Sequence, residues 1–291
     1  MASTTFTFSS ADGLEIVAYR WESSGTARGI VQLTHGMGEH VQRYEPLAAA
    51  LTAQGFVVVG QDHRGHGATA TSEADYGRLG TGGWNALVDD IGLLAIRARA
   101  DNPNLPLVLL GHSMGSFAAQ QFALDRSDQI DGLALTGTAV LDLLEPALDL
   151  DEPMDLGMFN SPFTPARTDF DWLSRDEAQV DLYVNDPRCG FGLEPAAAKD
   201  MFAAARPLAD PERVAAMRSD LPVYIAVGEH DPVNGQLTLL SPLLQRYTAH
   251  LTGVTVHIYP AARHEVFNET NRDEVVTDLV DWLNTVVPRL D

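Results

Sequence analysis

The chain has 291 residues and a formal net charge of −21, from 40 acidic against 19 basic side chains; this acidic balance argues against nucleic acid, whose phosphates call for Lys and Arg on one face, and against adsorption to anionic membranes. Its 45% hydrophobic content is that of a globular protein with a large core, in one large α/β domain or two smaller ones. The single cysteine, Cys189, excludes an intrachain disulfide and fits a reducing compartment, no apolar run approaches the roughly 20 residues that span a bilayer, and Met1 to Phe8 lack the basic and apolar regions of a signal peptide, so a cytoplasmic location is expected.

Thr5 to Ser9 and Leu14 to Trp21 read as two strands joined by the turn Ala11-Asp12-Gly13, a hairpin signal. Gly29 to Thr34 is a short apolar strand running into the glycine-rich loop His35-Gly36-Met37-Gly38. Tyr44 to Gln54 reads as a helix stopped by Gly55, and Phe56 to Val59 as a buried, β-branched strand. A helix is expected from Trp84 to Ala100, with Leu87, Ile91, Leu94, Ile96 and Ala98 as its apolar positions. Leu107 to Leu110 is the next strand, Ser116 to Asp125 a helical stretch, and Ile130 to Leu135 a further strand; Val223 to Val227 and Val254 to Ile258 follow. The last helix starts near Asn271, with Asn271 and Glu274 as a capping pair, and its apolar face runs through Val275, Val276, Leu279, Val280, Leu283, Val286 and Val287.

Short apolar strands alternating with helices imply an α/β fold, a mostly parallel eight-stranded sheet with helices on both faces. The rhythm lapses between about Thr138 and Ser219, a segment rich in Asp, Pro, Met and Phe with no clear strand. It reads as an inserted helical cap without a separate core, which divides the chain into a core of residues 1–137 and 220–291 and a cap of residues 138–219.

The most informative motif is Gly111-His112-Ser113-Met114-Gly115, placed between the strand Leu107 to Leu110 and the helix after it. A serine held at a strand-to-helix turn by flanking glycines is a nucleophile elbow; the small residues let strand and helix approach, and the turn strains the serine backbone and exposes its hydroxyl. A serine nucleophile needs a base and a group to orient that base. His264 follows the strand Val254 to Ile258 and Asp231 follows the strand Val223 to Val227, both at carboxyl ends, where open α/β sheets build their sites. The order Ser113, Asp231, His264 is that of the α/β-hydrolase triad. The backbone N–H groups of Met114, next to the serine, and Met37, between two glycines, are the candidate oxyanion-hole donors.

Taken together, His35-Gly36-Met37-Gly38-Glu39-His40 with Arg43-Tyr44, Asp62-His63-Arg64-Gly65-His66-Gly67, the elbow, Asp231-Pro232-Val233 and Arg263-His264-Glu265 resemble the serine hydrolases of the α/β-hydrolase superfamily. They are most similar to the monoacylglycerol lipase and lysophospholipase group of serine-aminopeptidase S33 type, over about Thr4 to Leu290 apart from most of the cap. Ser116 stands where that group often has a further glycine, and the stretches Phe170 to Asp176 and Asp186 to Phe191 resemble bacterial, lysophospholipase-like members more than the mammalian lipase.

The resemblance implies an α/β-hydrolase fold and a serine esterase acting on small-molecule esters, uncharged monoesters of medium or long acyl chains such as monoacylglycerols, through an acyl-enzyme and without a cofactor. It implies that Ser113, Asp231 and His264 are catalytic and that Glu39 and Arg43 line the alcohol side of the substrate; a surface pair at a helix start is the competing reading of those two. A transient contact of the cap with lipid aggregates is compatible with it, and no oligomeric state follows. Lysophospholipase, amide or lactone hydrolysis and acyl transfer would use the same triad, and a non-catalytic binding protein of this fold would normally lack one of its members.

The remaining candidates carry structural readings. His35, His40, His63 and His66 lack the carboxylate–histidine signature of a metal site and are expected to hold loops by hydrogen bonds. Cys189 lies in the cap without a His/Asn arrangement and reads as a packed thiol. Met154, Met158, Phe159 and Phe163 either line an acyl pocket or pack within the cap.

Overall fold

The computed structural model describes residues 3–289; Met1, Ala2, Leu290 and Asp291, which fall within the segments discussed above, lie outside the described residues. The strands are β1 (Thr4–Ser9), β2 (Glu15–Trp21), β3 (Gly29–Thr34), β4 (Phe56–Gln61), β5 (Leu107–His112), β6 (Gly132–Thr136), β7 (Val223–Gly228) and β8 (Val254–Tyr259). They form one sheet in the order β1-β2-β4-β3-β5-β6-β7-β8, in which β2 pairs antiparallel with both neighbours and the other pairs are parallel. The helices are α1 (Glu45–Ala53), α2 (Gly83–Asp101), α3 (Met114–Arg126), α4 (Leu141–Leu144), α5 (Glu177–Val184), α6 (Pro195–Ala205), α7 (Pro211–Ala215), α8 (Leu240–Thr248) and α9 (Arg272–Val286). The α/β-hydrolase fold expected from the sequence is present. No helix of the described residues is long and apolar enough to cross a membrane.

The period-2 alternation of strand side chains sorts the core into two layers. Leu107, Leu109, Leu133, Leu135, Ile225 and Val227 belong to the layer under α2 and α3, whereas Val108, Leu110, Ala134, Tyr224 and Ala226 face the layer with α1 and α9. The segment between β6 and β7 contains helices and turns, and its buried side chains, among them Leu156, Trp172, Leu193 and Phe202, belong to the α2–α3 layer.

Several local expectations change. Ile96 is 63% exposed; α2 buries Leu87, Ile91, Leu94, Ala95 and Ala98 instead. Ile96 lies five residues beyond Ile91, about 140° round the helix, which turns it to solvent. Helix α3 begins at Met114, two residues earlier than expected, because the Ser113 carbonyl already accepts the N–H groups of Ser116 and Phe117. Asn271 Nδ2 does reach Glu274 Oε2 at 2.9 Å, but the Asn271 side chain caps no backbone N–H, and its Oδ1 accepts from Arg175.

The elbow glycines are required by close backbone approach. A Cβ at Gly115 would lie 2.2 Å from the carbonyl oxygen of Thr34 and 2.5 Å from that of His35, at the end of β3. Alanine favours a helix by about 1 kcal/mol over glycine, but overpacking costs roughly 1–3 kcal/mol or more, so the steric effect wins. Gly115→Ala is therefore expected to lower the free energy of unfolding in a denaturant titration, and an unchanged midpoint would contradict this packing.

Candidate active site

Ser113 sits between β5 and α3 with φ 52° and ψ −122°, a strained conformation for a residue with a Cβ. The strain is held by hydrogen bonds on both sides: Ser113 N–H donates to Thr136 O at 2.9 Å, and Ser113 O accepts from the N–H groups of Ser116 and Phe117. Ser116, the departure from the expected glycine, adds a third, its hydroxyl donating to Ser113 O at 2.6 Å and lying 2.9 Å from Thr138 Oγ1. The residue thus reinforces the elbow, which its position in the motif did not reveal.

Asp231 follows β7 and His264 follows β8, and both are fully buried. His264 Nδ1 lies 2.9 Å from each carboxylate oxygen of Asp231. An ionised carboxylate only accepts, so Nδ1 carries the proton and Nε2 is left as a base. Asp231 Oδ1 also accepts the N–H of Val233 at 2.9 Å, which fixes the carboxylate within its own turn. Gly137, with φ 53°, makes the room: a Cβ there would lie 2.8 Å from the Cε1 atoms of both His264 and His112. Its role could not be read from the motifs, because it depends on two rings from other elements. Ser113 and His264 line one cavity, and neither Ser113 Oγ nor His264 Nε2 has a hydrogen-bond partner among the described residues.

The same cavity is lined by Met37 and Met114, whose N–H groups donate no hydrogen bond among the described residues. The backbone around Met37 is otherwise engaged. Gly36 N–H donates to Glu39 Oε1, Gly36 O pairs with His35 Nδ1 at 2.8 Å, and His35 Nε2 accepts the N–H of His63 at 2.9 Å. These bonds fix His35 as the Nδ1–H tautomer, and burial pushes its pKa well below the ordinary histidine value, so it stays neutral. Behind it, Asp62 accepts the N–H groups of Val41 and Ala68, and Arg64 is buried against Asp90 and Asp12. The Asp62 to Gly67 motif therefore serves as scaffold for the loop in front of it.

Glu39 and Arg43 are not a surface pair. Arg43 bridges Glu39 to Glu265, which it grips with two hydrogen bonds of 2.6 and 2.8 Å, and Glu39 Oε1 also accepts from Tyr44 OH at 2.7 Å. Glu39 and Glu265 line the cavity. Burial works to raise the Glu265 carboxyl, but the charge and hydrogen bonds of Arg43 hold it down at about 2. His112, 4.7 Å ring to ring from His264, is driven down to about 4 by burial and by that neighbour.

The rest of the cavity lining is mostly apolar. Met154, Leu156 and Phe159 from the segment between β6 and β7 line the cavity, whereas Met158 is exposed and Phe163 lies under the Arg263 guanidinium, away from it. The cavity has an empty volume of about 550 Å³. Cys189, expected to stand apart from histidine, lies with His40 and Asp186, their donor atoms all within 4.8 Å. Such a trio has metal-ligand chemistry, but Asp186 is engaged by Arg188 and His40, and burial pushes the Cys189 thiol far above its ordinary value.

A family model described as serine aminopeptidase, S33, matches residues 25–271. A monoacylglycerol lipase of Mycolicibacterium smegmatis is 30% identical over 282 residues, 95% of this chain and 95% of the relative. The monoglyceride lipase of Mus musculus is 35% identical over 187 residues, 63% of this chain and 60% of the relative. Among solved structures, a highly thermostable carboxyl esterase from Bacillus coagulans in complex with glycerol matches with a TM-score of 0.86 and 28% identity, over 98% of this chain and 99% of that one.

Proposed function

The chain belongs to the serine aminopeptidase S33 family, and from that premise we propose that it hydrolyses monoacylglycerol-like and other small uncharged esters through an acyl-enzyme on Ser113. It is a carboxylic-ester hydrolase. The observation that carries the mechanism is the His264–Asp231 pair, which leaves Nε2 as a base in the cavity that Ser113 lines.

In this reading Ser113 Oγ attacks the ester carbonyl while His264 Nε2 takes its proton, and Asp231 stabilises the imidazolium. The N–H groups of Met37 and Met114 receive the oxyanion, the second with the dipole of α3 behind it. Collapse of the tetrahedral intermediate expels the alcohol, which leaves with the proton held by His264. Water then attacks the acyl carbon as His264 takes its proton, and collapse breaks the bond to Ser113 Oγ, which recovers the proton from His264 as the acid leaves. The apolar lining of Met154, Leu156 and Phe159 suits an acyl chain, and the carboxylates Glu39 and Glu265 in the same lining suit a hydroxylated alcohol. The substrate class follows the relatives, two of which are lipases of monoacylglycerol.

A fluorophosphonate probe is expected to modify Ser113, located by peptide mass spectrometry. A monoacylglycerol is expected to turn over faster than an aminoacyl amide with a matched acyl part. Modification elsewhere, or a preference for the amide, would overturn the proposal.

A further inference from the structure

On its N-terminal side the Met37 loop is held from within the core, through Gly36 N–H and Gly36 O. On its C-terminal side the holding groups come from the segment between β6 and β7. Gly38 O accepts from Tyr183 OH at 2.8 Å and from Gly190 N–H at 3.0 Å, and the Tyr183 oxygen in turn lies 3.2 Å from Gly190 N. The contact is tight: Gly38 has φ 62°, and a Cβ there would lie 2.2 Å from Phe191 O. Tyr183 is 2% exposed, lies under the Arg43 guanidinium at 4.7 Å, and has no other hydrogen-bond partner among the described residues. Met37 N–H is thus an unused donor between two anchored residues, one anchored by the core and one by α5.

We propose that Tyr183 is a positioning residue for the oxyanion hole: its hydroxyl, by donating to Gly38 O, holds the Met37 N–H where the developing oxyanion will lie. This rests on the assignment of Ser113 and Met37 made above. The hydroxyl remains a donor throughout the working pH range, since burial raises its pKa well above the ordinary tyrosine value. A donor fixed before reaction costs no reorganisation as charge develops, which is where such groups gain their effect.

Because the oxyanion forms in both halves of the reaction, Tyr183→Phe should slow both. With a p-nitrophenyl ester in stopped flow, acylation and deacylation are each expected to fall about tenfold or more, with KM within about twofold. Binding of an aryl boronic acid, which becomes tetrahedral on the serine, should weaken in parallel, while the melting transition stays cooperative. A merely structural tyrosine would shift the melt and leave the two chemical steps alone. Wild-type rates in the folded variant overturn the proposal. A defect confined to acylation by glyceryl esters overturns it too, placing the hydroxyl on the leaving alcohol instead. If Tyr183→Phe does not fold, 4-fluorophenylalanine at position 183, which fills the hydroxyl's place but cannot donate, takes its part; the paired defect supports the proposal and wild-type rates refute it. Fluorophosphonate labelling of the wild-type chain separates the two readings: an unlabelled Ser113 sinks the mechanism, whereas a labelled one with undiminished Tyr183→Phe rates sinks only the positioning role.

Discussion

Ser113→Ala is expected to lower kcat on a p-nitrophenyl ester by at least about 10⁴-fold, towards the roughly 10⁶-fold seen when a serine hydrolase loses its nucleophile. Alanine keeps the Cβ and therefore the same strained turn at φ 52°. The backbone bonds that hold the turn, from Ser113 N–H to Thr136 O and from Ser116 and Phe117 to Ser113 O, do not involve the hydroxyl. Because Ser113 Oγ has no hydrogen-bond partner among the described residues, its loss leaves no buried group unsatisfied. Activity should thus disappear while the thermal midpoint holds, and the residual rate should come from the oxyanion donors alone. Steady-state kinetics beside a melting curve checks this; substantial turnover by the folded variant would remove Ser113 from the mechanism.

Asp231→Asn is expected to cost about 10⁴-fold in kcat at neutral pH with little change in KM. The shape is conserved but the hydrogen-bond pattern is not. Both oxygens of Asp231 stand 2.9 Å from His264 Nδ1, and one of them already accepts Val233 N–H. An asparagine that keeps its oxygen on Val233 turns its NH₂ group towards Nδ1. The imidazole then accepts at Nδ1 and carries its proton on Nε2, so it faces Ser113 as a donor and cannot take the serine proton. Asp231 is fully buried, so bulk solvent does not reach its side of the imidazole to replace the carboxylate. Pre-steady-state acylation is the measurement, because the defect lies in the proton transfer; a loss under about tenfold would show that the carboxylate does not set the tautomer.

The sheet was legible because its strands announce themselves twice, by β-branched apolar runs and by the glycines that bound them. Gly29–Thr34 is predicted and observed at the same residues. Helix α2 was legible as an element but not as a surface, because counting apolar residues admitted Ile96, whose angular position excludes it. In the site, the motifs that carry chemistry were visible because each is local: a turn, a strand end, a glycine loop. What stayed hidden is made by contacts between distant segments. Arg43 was seen beside Glu39, four residues away, but not gripping Glu265. Cys189 was seen without His40, and Gly38 without Tyr183, because nothing in a strandless segment tells which side chains it lays over the sheet edge.

That segment also holds loops of the site through hydrogen bonds. Besides its hold on Gly38, its backbone carbonyls at Trp172 and Leu173 accept the N–H groups of His264 and Glu265, at 3.4 and 2.7 Å. Its buried side chains share one apolar layer with α2 and α3. Moving it as a rigid body would break the bonds to Gly38, His264 and Glu265 and expose apolar side chains of that layer in one movement. The bonds at Gly38, His264 and Glu265 and part of one buried apolar layer therefore depend on a single segment, so its local loosening is expected to reach all of them together.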